Sequence, residues 1–487
     1  MCVSTKVIRE VTMKFIPALI LLFICVSCKT VPLTAQEITA KIDEVMDKYV
    51  ELDLFSGTVL VAKDGNILYA KAFGEADKDF YVKNTLETKF NIGSIGKIFT
   101  GTAIMQLAES GKLDVMDPVN KYLPDFPFGE KILIHHLLTH TSGTFNYFAH
   151  PDFSNKFYTI RSVGDALPLI YDQKLLFDTP GEKFSYSNSG IVILGAVIEQ
   201  VSGMSYPGYL RENILEPTEM HDTGINYLEE VVENRAAGYD KLITGEFKRN
   251  IFRVPPANAD GGIETTVLDL LKFDQALYGT SLLNEESKQK MWTPLLDDYA
   301  YCWEIRNEYD NFITSHGGGA PGVNAAFRRY TTDRYTLVIL SNYGGGANPV
   351  ARTVEAIIFG QEYAMPEPGI GEYIYKIISE KGSTYFLNNY EQILKEGGYE
   401  IRSSTTLNRA GYELLYNRQT DMAIDLFKLN IRLFPDDANI HDSLGEAYMM
   451  KGDYVKSREL YNKALQLDPD FENAKQMLQR LDELEKK

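Results

Sequence analysis

Two side chains near the start of the chain have the types and spacing of a nucleophile and its base: Ser94-Ile95-Gly96-Lys97 sets a hydroxyl and an amine three positions apart. At about 3.6 residues per turn, that spacing puts both on one face of a helix. The helix N-terminus adds partial positive potential, and burial disfavours a charged amine, so a neutral Lys97 can draw the proton from Ser94. The spacing alone is weak evidence. Ser287-Lys288-Gln289-Lys290 has it too and reads as an exposed helical turn. Order and company single out Ser94: Tyr186-Ser187-Asn188 follows, and His316-Gly317-Gly318-Gly319 comes later still. Tyr309-Asp310-Asn311 repeats the pattern of Tyr186 and Asn188, but it lacks the Pro180-Gly181 approach and lies too near His316.

Positioning these groups requires an alternation of sheet and helix. Residues 57–70 alternate apolar and polar about Asp64-Gly65, which predicts a β-hairpin after a helical lead at 38–52. From 94 to 113 the period becomes helical, with Ile98, Thr102, Met105 and Leu107 among the inward positions and Gly111 as the stop. The middle reads as a mainly helical insertion, with helices at 189–202 and 266–278. Strands return at 324–330 and 335–342 around a polar turn at 331–334. Strands at both ends predict an α/β arrangement in which distant parts of the chain complete one antiparallel sheet.

Beyond about residue 365, helix formers continue without strand runs, and an internal repeat emerges. Gly411 recurs as Gly445, Phe427 as Tyr461 and Pro435 as Pro469, the 34-residue interval of tetratricopeptide units. Leu444, Tyr448 and Ala464 fill the packing positions of the second copy. The expected organisation is a catalytic domain over 38–365, a helical connector over 366–403, and two repeats plus a final helix over 404–487. Two repeats are fewer than the three or so needed to stand alone. They must lean on the catalytic domain, on the final helix from Glu472 onward, or on another protein.

With 487 residues, 44% apolar and 24% charged, the chain has ordinary globular composition and room for more than one unit. Lys14 precedes an apolar run at 15–26, too short to span a bilayer but suited to an export signal. Met13 gives the tighter start for such a signal. The run ends in Cys25-Val26-Ser27-Cys28, which resembles a bacterial lipobox with Cys25 where Leu is preferred. This predicts a signal over residues 1–27, lipid on Cys28, and an exported, periplasmic, membrane-anchored protein. Cleavage after Leu33-Thr34-Ala35, giving a soluble secreted product, is the first alternative, and a retained anchor helix is the second. Loss of 1–27 removes Lys6, Arg9, Lys14 and Glu10, a net +2, and takes the charge from −18 to −20. That charge argues against nucleic acid as a partner. Cys2 and Cys25 would leave with the signal, so Cys302 stands alone and no disulfide framework is expected. Neither the cysteines nor the histidines, which include His135, His136, His140, His150, His221 and His441, show metal spacing, so no metal or organic cofactor is expected.

Taken together, the ordered elements resemble the serine β-lactamase and D-alanyl-D-alanine peptidase superfamily, in its class C branch. Residues 137–143 (Leu137-Leu138-Thr139-His140-Thr141-Ser142-Gly143), 180–190 around Tyr186, and Gly261-Gly262-Ile263 before an Asp269-containing helix strengthen the resemblance, which covers roughly 40–360. It implies that Ser94 attacks a carbonyl while Lys97 and Tyr186 accept and return the proton; Tyr, with a pKa of about 10, needs Lys97 beside it for this. It implies further that Asn188 holds Lys97 and the substrate amide, and that the Ser94 and Gly319 N–H groups form the oxyanion hole. Glycines 317, 318 and 319 would let the strand approach the ligand, with Gly318 supporting the substrate. His316 departs from the branch, whose dedicated β-lactamases carry Lys there, so recognition of a substrate carboxylate becomes doubtful. The resemblance therefore implies an amide or ester hydrolase acting through acyl-Ser94 on D-amino-acid peptides or small esters. A dedicated β-lactamase, or a non-catalytic sensor or scaffold that binds protein partners through the repeats, are the alternatives.

Overall fold

The computed structural model describes residues 33–227, 230–250 and 258–484. The predicted signal and Cys28 lie outside the described residues. A six-stranded antiparallel sheet has the spatial order Glu304–Glu308, Asn311–Ala320, Val323–Tyr330, Tyr335–Ser341, Gly57–Lys63, Asn66–Phe73. Gly57 pairs with Ser341 and Lys63 with Tyr335, so the two ends of the domain close one sheet as the strand pattern predicts. Asp64 at φ 52° and Gly65 at φ 76° form the two-residue turn of the first hairpin, whose left-handed residues match the twist of its strands.

Side chains leave this sheet on alternating sides. Val59, Val61, Leu337 and Ile339 face the layer of helices Ala35–Glu51 and Ala347–Ile358. Leu60, Ala62, Val338 and Leu340 face a larger core that holds the helix after Ser94. Alternation over 57–70 predicts half-buried strands, but Gly57–Lys63 is buried on both faces until Lys63. It lies inside the sheet between two helical layers, whereas the edge strands Asn66–Phe73 and Glu304–Glu308 keep a wet side.

Within the larger core, Arg329 and Asp274 are both fully buried and meet at 2.5 Å. Thr336 Oγ1 donates to the second carboxylate oxygen at 2.6 Å, and the guanidinium lies 4.8 Å from the Tyr278 ring and 5.0 Å from Trp292. This pair ties strands Val323–Tyr330 and Tyr335–Ser341 to helix Val267–Tyr278, where aromatic faces and hydroxyls replace lost water.

The middle of the chain is mainly helical, including Asn188–Ser202 capped by Ser187 and Val267–Tyr278 capped by Thr266. Helix Gly96–Glu109 runs through the core with nearly every position buried, where the period predicts one inward face. A helix enclosed on all sides has no polar face to reveal it. A small sheet joins Phe90–Asn91 and Gly224–Ile225 to Ile263–Thr265, a link absent from the sequence pattern.

Among the described residues, seven helices follow residue 369, from Ile370–Lys381 to Glu472–Leu484. Helices Ile370–Lys381 and Ser383–Glu396 share one core with the repeats, so the stack is longer than the two units legible in the sequence. The repeated glycines have a steric cause. A side chain on Gly411 would overlap the Phe427 ring, and one on Gly445 would come within 3.0 Å of Tyr461, the equivalent residue. The stack leans on the catalytic domain through the hairpin of Gly238–Lys241 and Phe247–Asn250. Lys241 Nζ lies 3.1 Å from Glu372, and the Ile243 N–H donates to Glu413 at 2.9 Å. Leu481 and Ala474 of the last helix close the other end against Tyr461.

Replacing Asp274 by Ala leaves the Arg329 cation buried and uncompensated, and is expected to cost about 3–5 kcal/mol in urea unfolding monitored by fluorescence. Ile243→Asp is expected to expose sites beyond residue 365 to limited proteolysis while the catalytic domain stays resistant; an unchanged digestion pattern would contradict the hairpin as the docking contact.

Candidate active site

The approach to Ser94 is set by its preceding backbone. Ile92 N–H donates to Ile263 O at 3.0 Å, and Asn91 Oδ1 accepts from Gly93 N at 2.8 Å. Gly93, at φ 51°, turns the chain into a 3-10 turn and then into helix Gly96–Glu109. A side chain is excluded at Gly93, where it would lie 2.7 Å from Gly319 N. The backbone beside Ser94 therefore touches the strand that supplies Gly319.

Lys97 is fully buried, and its Nζ donates to Ser94 Oγ at 2.8 Å and to Asp260 O at 2.6 Å. Sequence reasoning assigns the holding of Lys97 to the Asn188 amide, but the carbonyl that holds it is that of Asp260. This carbonyl is delivered by the link between the Ile92 and Ile263 backbones. Asn188 instead opens helix Asn188–Ser202 and is buried. The Tyr186 ring centroid is 5.1 Å from Lys97 Nζ, and the side chain is 39% exposed, open to an incoming ligand.

Tyr186 rests on His140, with ring centroids 4.2 Å apart. His140 has φ 54°, and its carbonyl accepts from Ser185 N while Nδ1 accepts from Ser187 N at 3.3 Å. These bonds fix the loop that carries Tyr186. With Nδ1 accepting, the ring proton is on Nε2, a buried atom with no hydrogen-bond partner among the described residues. Burial, then Lys97, then His316 push its pKa well down, so His140 is neutral.

His316 is almost fully buried, and both of its nitrogens are engaged. Gly317 O lies 2.6 Å from Nδ1 and can only accept, which places the proton on Nδ1. Nε2 therefore accepts from the Tyr299 hydroxyl at 3.0 Å. Burial lowers the His316 pKa, outweighing the opposing pull of Glu304, and burial raises that of Tyr299, so both stay neutral. The strand glycines are not equivalent. A side chain on Gly318 would overlap Ile92 O, so packing against the backbone ahead of Ser94 by itself requires glycine there.

The two chance matches fall elsewhere. Ser287 N–H donates to Asn284 Oδ1 in the first turn of Glu285–Met291, and Lys290 pairs with Glu286 at the surface. Tyr309 and Asp310, both at φ 55°, form a hairpin turn, and Asn311 donates to Asp333. No spacing in the sequence marks His140, Tyr299 or Asp260 as site residues; His140 lies inside the 137–143 segment that carries the resemblance, and Tyr299 and Asp260 lie outside every motif.

Comparison with known proteins gives a consistent result. A sequence model of the family described as Beta-lactamase matches residues 39–360, and one described as Tetratricopeptide repeat matches 438–471. Penicillin-binding protein 4* of Bacillus subtilis (strain 168) is 32% identical over 344 residues, covering 64% of this chain and 74% of its own length. Teichoic acid D-alanine hydrolase of Staphylococcus aureus (strain NCTC 8325 / PS 47) is 28% identical over 313 residues, covering 62% and 73%. The crystal structure of a penicillin-binding protein from Bacillus halodurans aligns with a TM-score of 0.60 at 33% identity, covering 64% of this chain and 98% of that one.

Lys97→Met keeps the apolar stem but removes the amine beside Ser94. It is expected to slow covalent labelling of Ser94 by a fluorophosphonate about 100-fold or more, read by intact mass. Labelling at an undiminished rate would remove Lys97 from the reaction.

Proposed function

The chain belongs to the beta-lactamase family of serine hydrolases, and from that premise we propose that it hydrolyses D-aminoacyl esters or amides through an acyl-Ser94 intermediate. Lys97 takes the Ser94 proton as Oγ attacks the carbonyl, and the Ser94 and Gly319 amides receive the oxyanion. Tyr186 and Lys97 pass the proton to the leaving group, and Asn188 orients the substrate amide. Water then attacks the acyl-enzyme, with the same groups accepting its proton.

The observation that carries the substrate class is the state of His316. A neutral ring with both nitrogens spent on Gly317 O and Tyr299 offers no fixed cation to a substrate carboxylate. A charge-assisted hydrogen bond at that position would contribute about 1.5–3 kcal/mol, enough to decide between substrates. Its absence favours acyl donors without a free carboxylate next to the scissile bond. A relative named as a D-alanine hydrolase of teichoic acid supports a D-alanyl group as the acyl part.

Export and lipid anchoring at Cys28 fit the first described residues. Thr34 caps helix Ala35–Glu51 in a capping box with Glu37, and Leu33 packs against the core. Cleavage before Cys28 keeps this cap, whereas cleavage after Ala35 would remove it at a cost of about 1 kcal/mol. The repeat stack then offers a surface for a protein partner at the membrane.

The test compares D-alanyl-D-alanine peptides with their C-terminal amides, D-alanyl esters and nitrocefin. The esters and amides are expected to turn over within about threefold of, or faster than, the free acids, and nitrocefin slowly. A preference of about tenfold for the free carboxylate, or rapid nitrocefin hydrolysis, would overturn the substrate class.

A further inference from the structure

The side chain of Asp260 has no part in the steps above, yet it is built into the floor of the site. Asp260 is 3% exposed. Its Oδ2 accepts from the Tyr147 hydroxyl at 3.3 Å, and its Oδ1 is buried with no hydrogen-bond partner among the described residues. Asn258 Nδ2 donates to the Tyr147 hydroxyl at 2.7 Å, which aims the tyrosine proton at the carboxylate. Thr100 Oγ1 donates to Ala259 O at 2.7 Å, clamping this segment to the helix that carries Lys97. A buried carboxylate with an unsatisfied oxygen is costly unless a cation offsets it, and the amine beside it is that of Lys97, whose Nζ donates to the backbone carbonyl of the same residue at 2.6 Å.

Resting on the reading that Lys97 is the base for Ser94, we propose that Asp260 is a positioning residue whose carboxylate offsets the ammonium formed when Lys97 takes the Ser94 proton. In that step the Oγ–H bond breaks, an Nζ–H bond forms, and Oγ bonds to the acyl carbon while its π electrons move to the oxyanion. The proton goes on to the leaving group as its bond to the acyl carbon breaks, and Lys97 returns to the neutral amine. Asp260 keeps its own protonation state throughout, as the carboxylate of a Ser-His-Asp triad does.

The other groups around Lys97 and Asp260 hold no charge that would do this. Burial raises Tyr147 and Tyr206, which face Asp260, and pushes Cys302 up to about 12, so all three stay protonated. His140 and His316 face Lys97 and are lowered by burial, while Glu304 faces His316 from strand Glu304–Glu308. Burial raises Asp260 to about 6, with Lys97 opposing. The carboxyl is therefore protonated below that pH and ionised above it, so the counter-charge is present at neutral pH and lost on acidification.

The experiment is the rate of Ser94 labelling by a fluorophosphonate in the full chain, over about pH 5 to 9. Fluoride leaves without a proton, so the rate isolates the base step. In the wild type the rate should rise as Asp260 ionises, through about pH 6. D260N has no carboxylate, so that rise should vanish and the rate at neutral pH should fall about tenfold or more, because the developing ammonium is no longer offset. Tyr147→Phe removes the donor to ionised Asp260 and should move the rise to higher pH, which decides the matter should D260N fail to fold. A folded D260N with the wild-type profile overturns the proposal, as does an unmoved rise in Tyr147→Phe. A folded wild type that never acquires the adduct overturns instead the parent reading of Ser94 and Lys97.

Discussion

A lysine with no access to water must find acceptors in the protein, and Lys97 finds Ser94 Oγ and Asp260 O. Those two groups are 166 residues apart in the chain. Bringing them together requires the backbone link from Ile92 to Ile263, the clamp from Thr100 to Ala259, and the small sheet around Ile263–Thr265. The burial of nearly every position of helix Gly96–Glu109 keeps Lys97 and its partners away from solvent.

The larger core solves the problem of a buried cation in two ways. Arg329 is locked by direct contact with Asp274, and the result is rigid and structural. Lys97 instead has two neutral acceptors in contact, Ser94 Oγ and Asp260 O, and no carboxylate paired with it directly among the described residues. Neutral His140, His316 and Tyr299 complete this environment, and their engaged nitrogens and hydroxyl hold the Tyr186 loop and the Gly319 strand in place.

The same economy of contacts joins the repeats to the site. The hairpin of Gly238–Lys241 and Phe247–Asn250 meets the repeat stack at Ile243, and at its base Asp240 accepts from Gly322 N at 3.1 Å. Gly322 turns the chain between the strand bearing His316 and its neighbour Val323–Tyr330. One short hairpin thus touches both the helical stack and the turn that follows Gly319.

The sequence by itself determined the pieces that depend on local spacing. Ser94 and Lys97 share a helical face, Asp64-Gly65 turns a hairpin, and Gly411 and Gly445 repeat because a ring sits against each. These are properties of neighbours within a turn, or of a period that recurs, and so they survive in a linear reading. Tertiary structure decided the rest. The Asp260 carbonyl, the Tyr299 donor and the His140 support reach the site from separate segments without any shared spacing. Strand Gly57–Lys63 up to Ala62, and nearly every position of helix Gly96–Glu109, are buried because of what packs on them, and no alternation within their own residues encodes that. The charge state of His316 is likewise set by burial and by partners from elsewhere in the chain, so the residue type alone left it open.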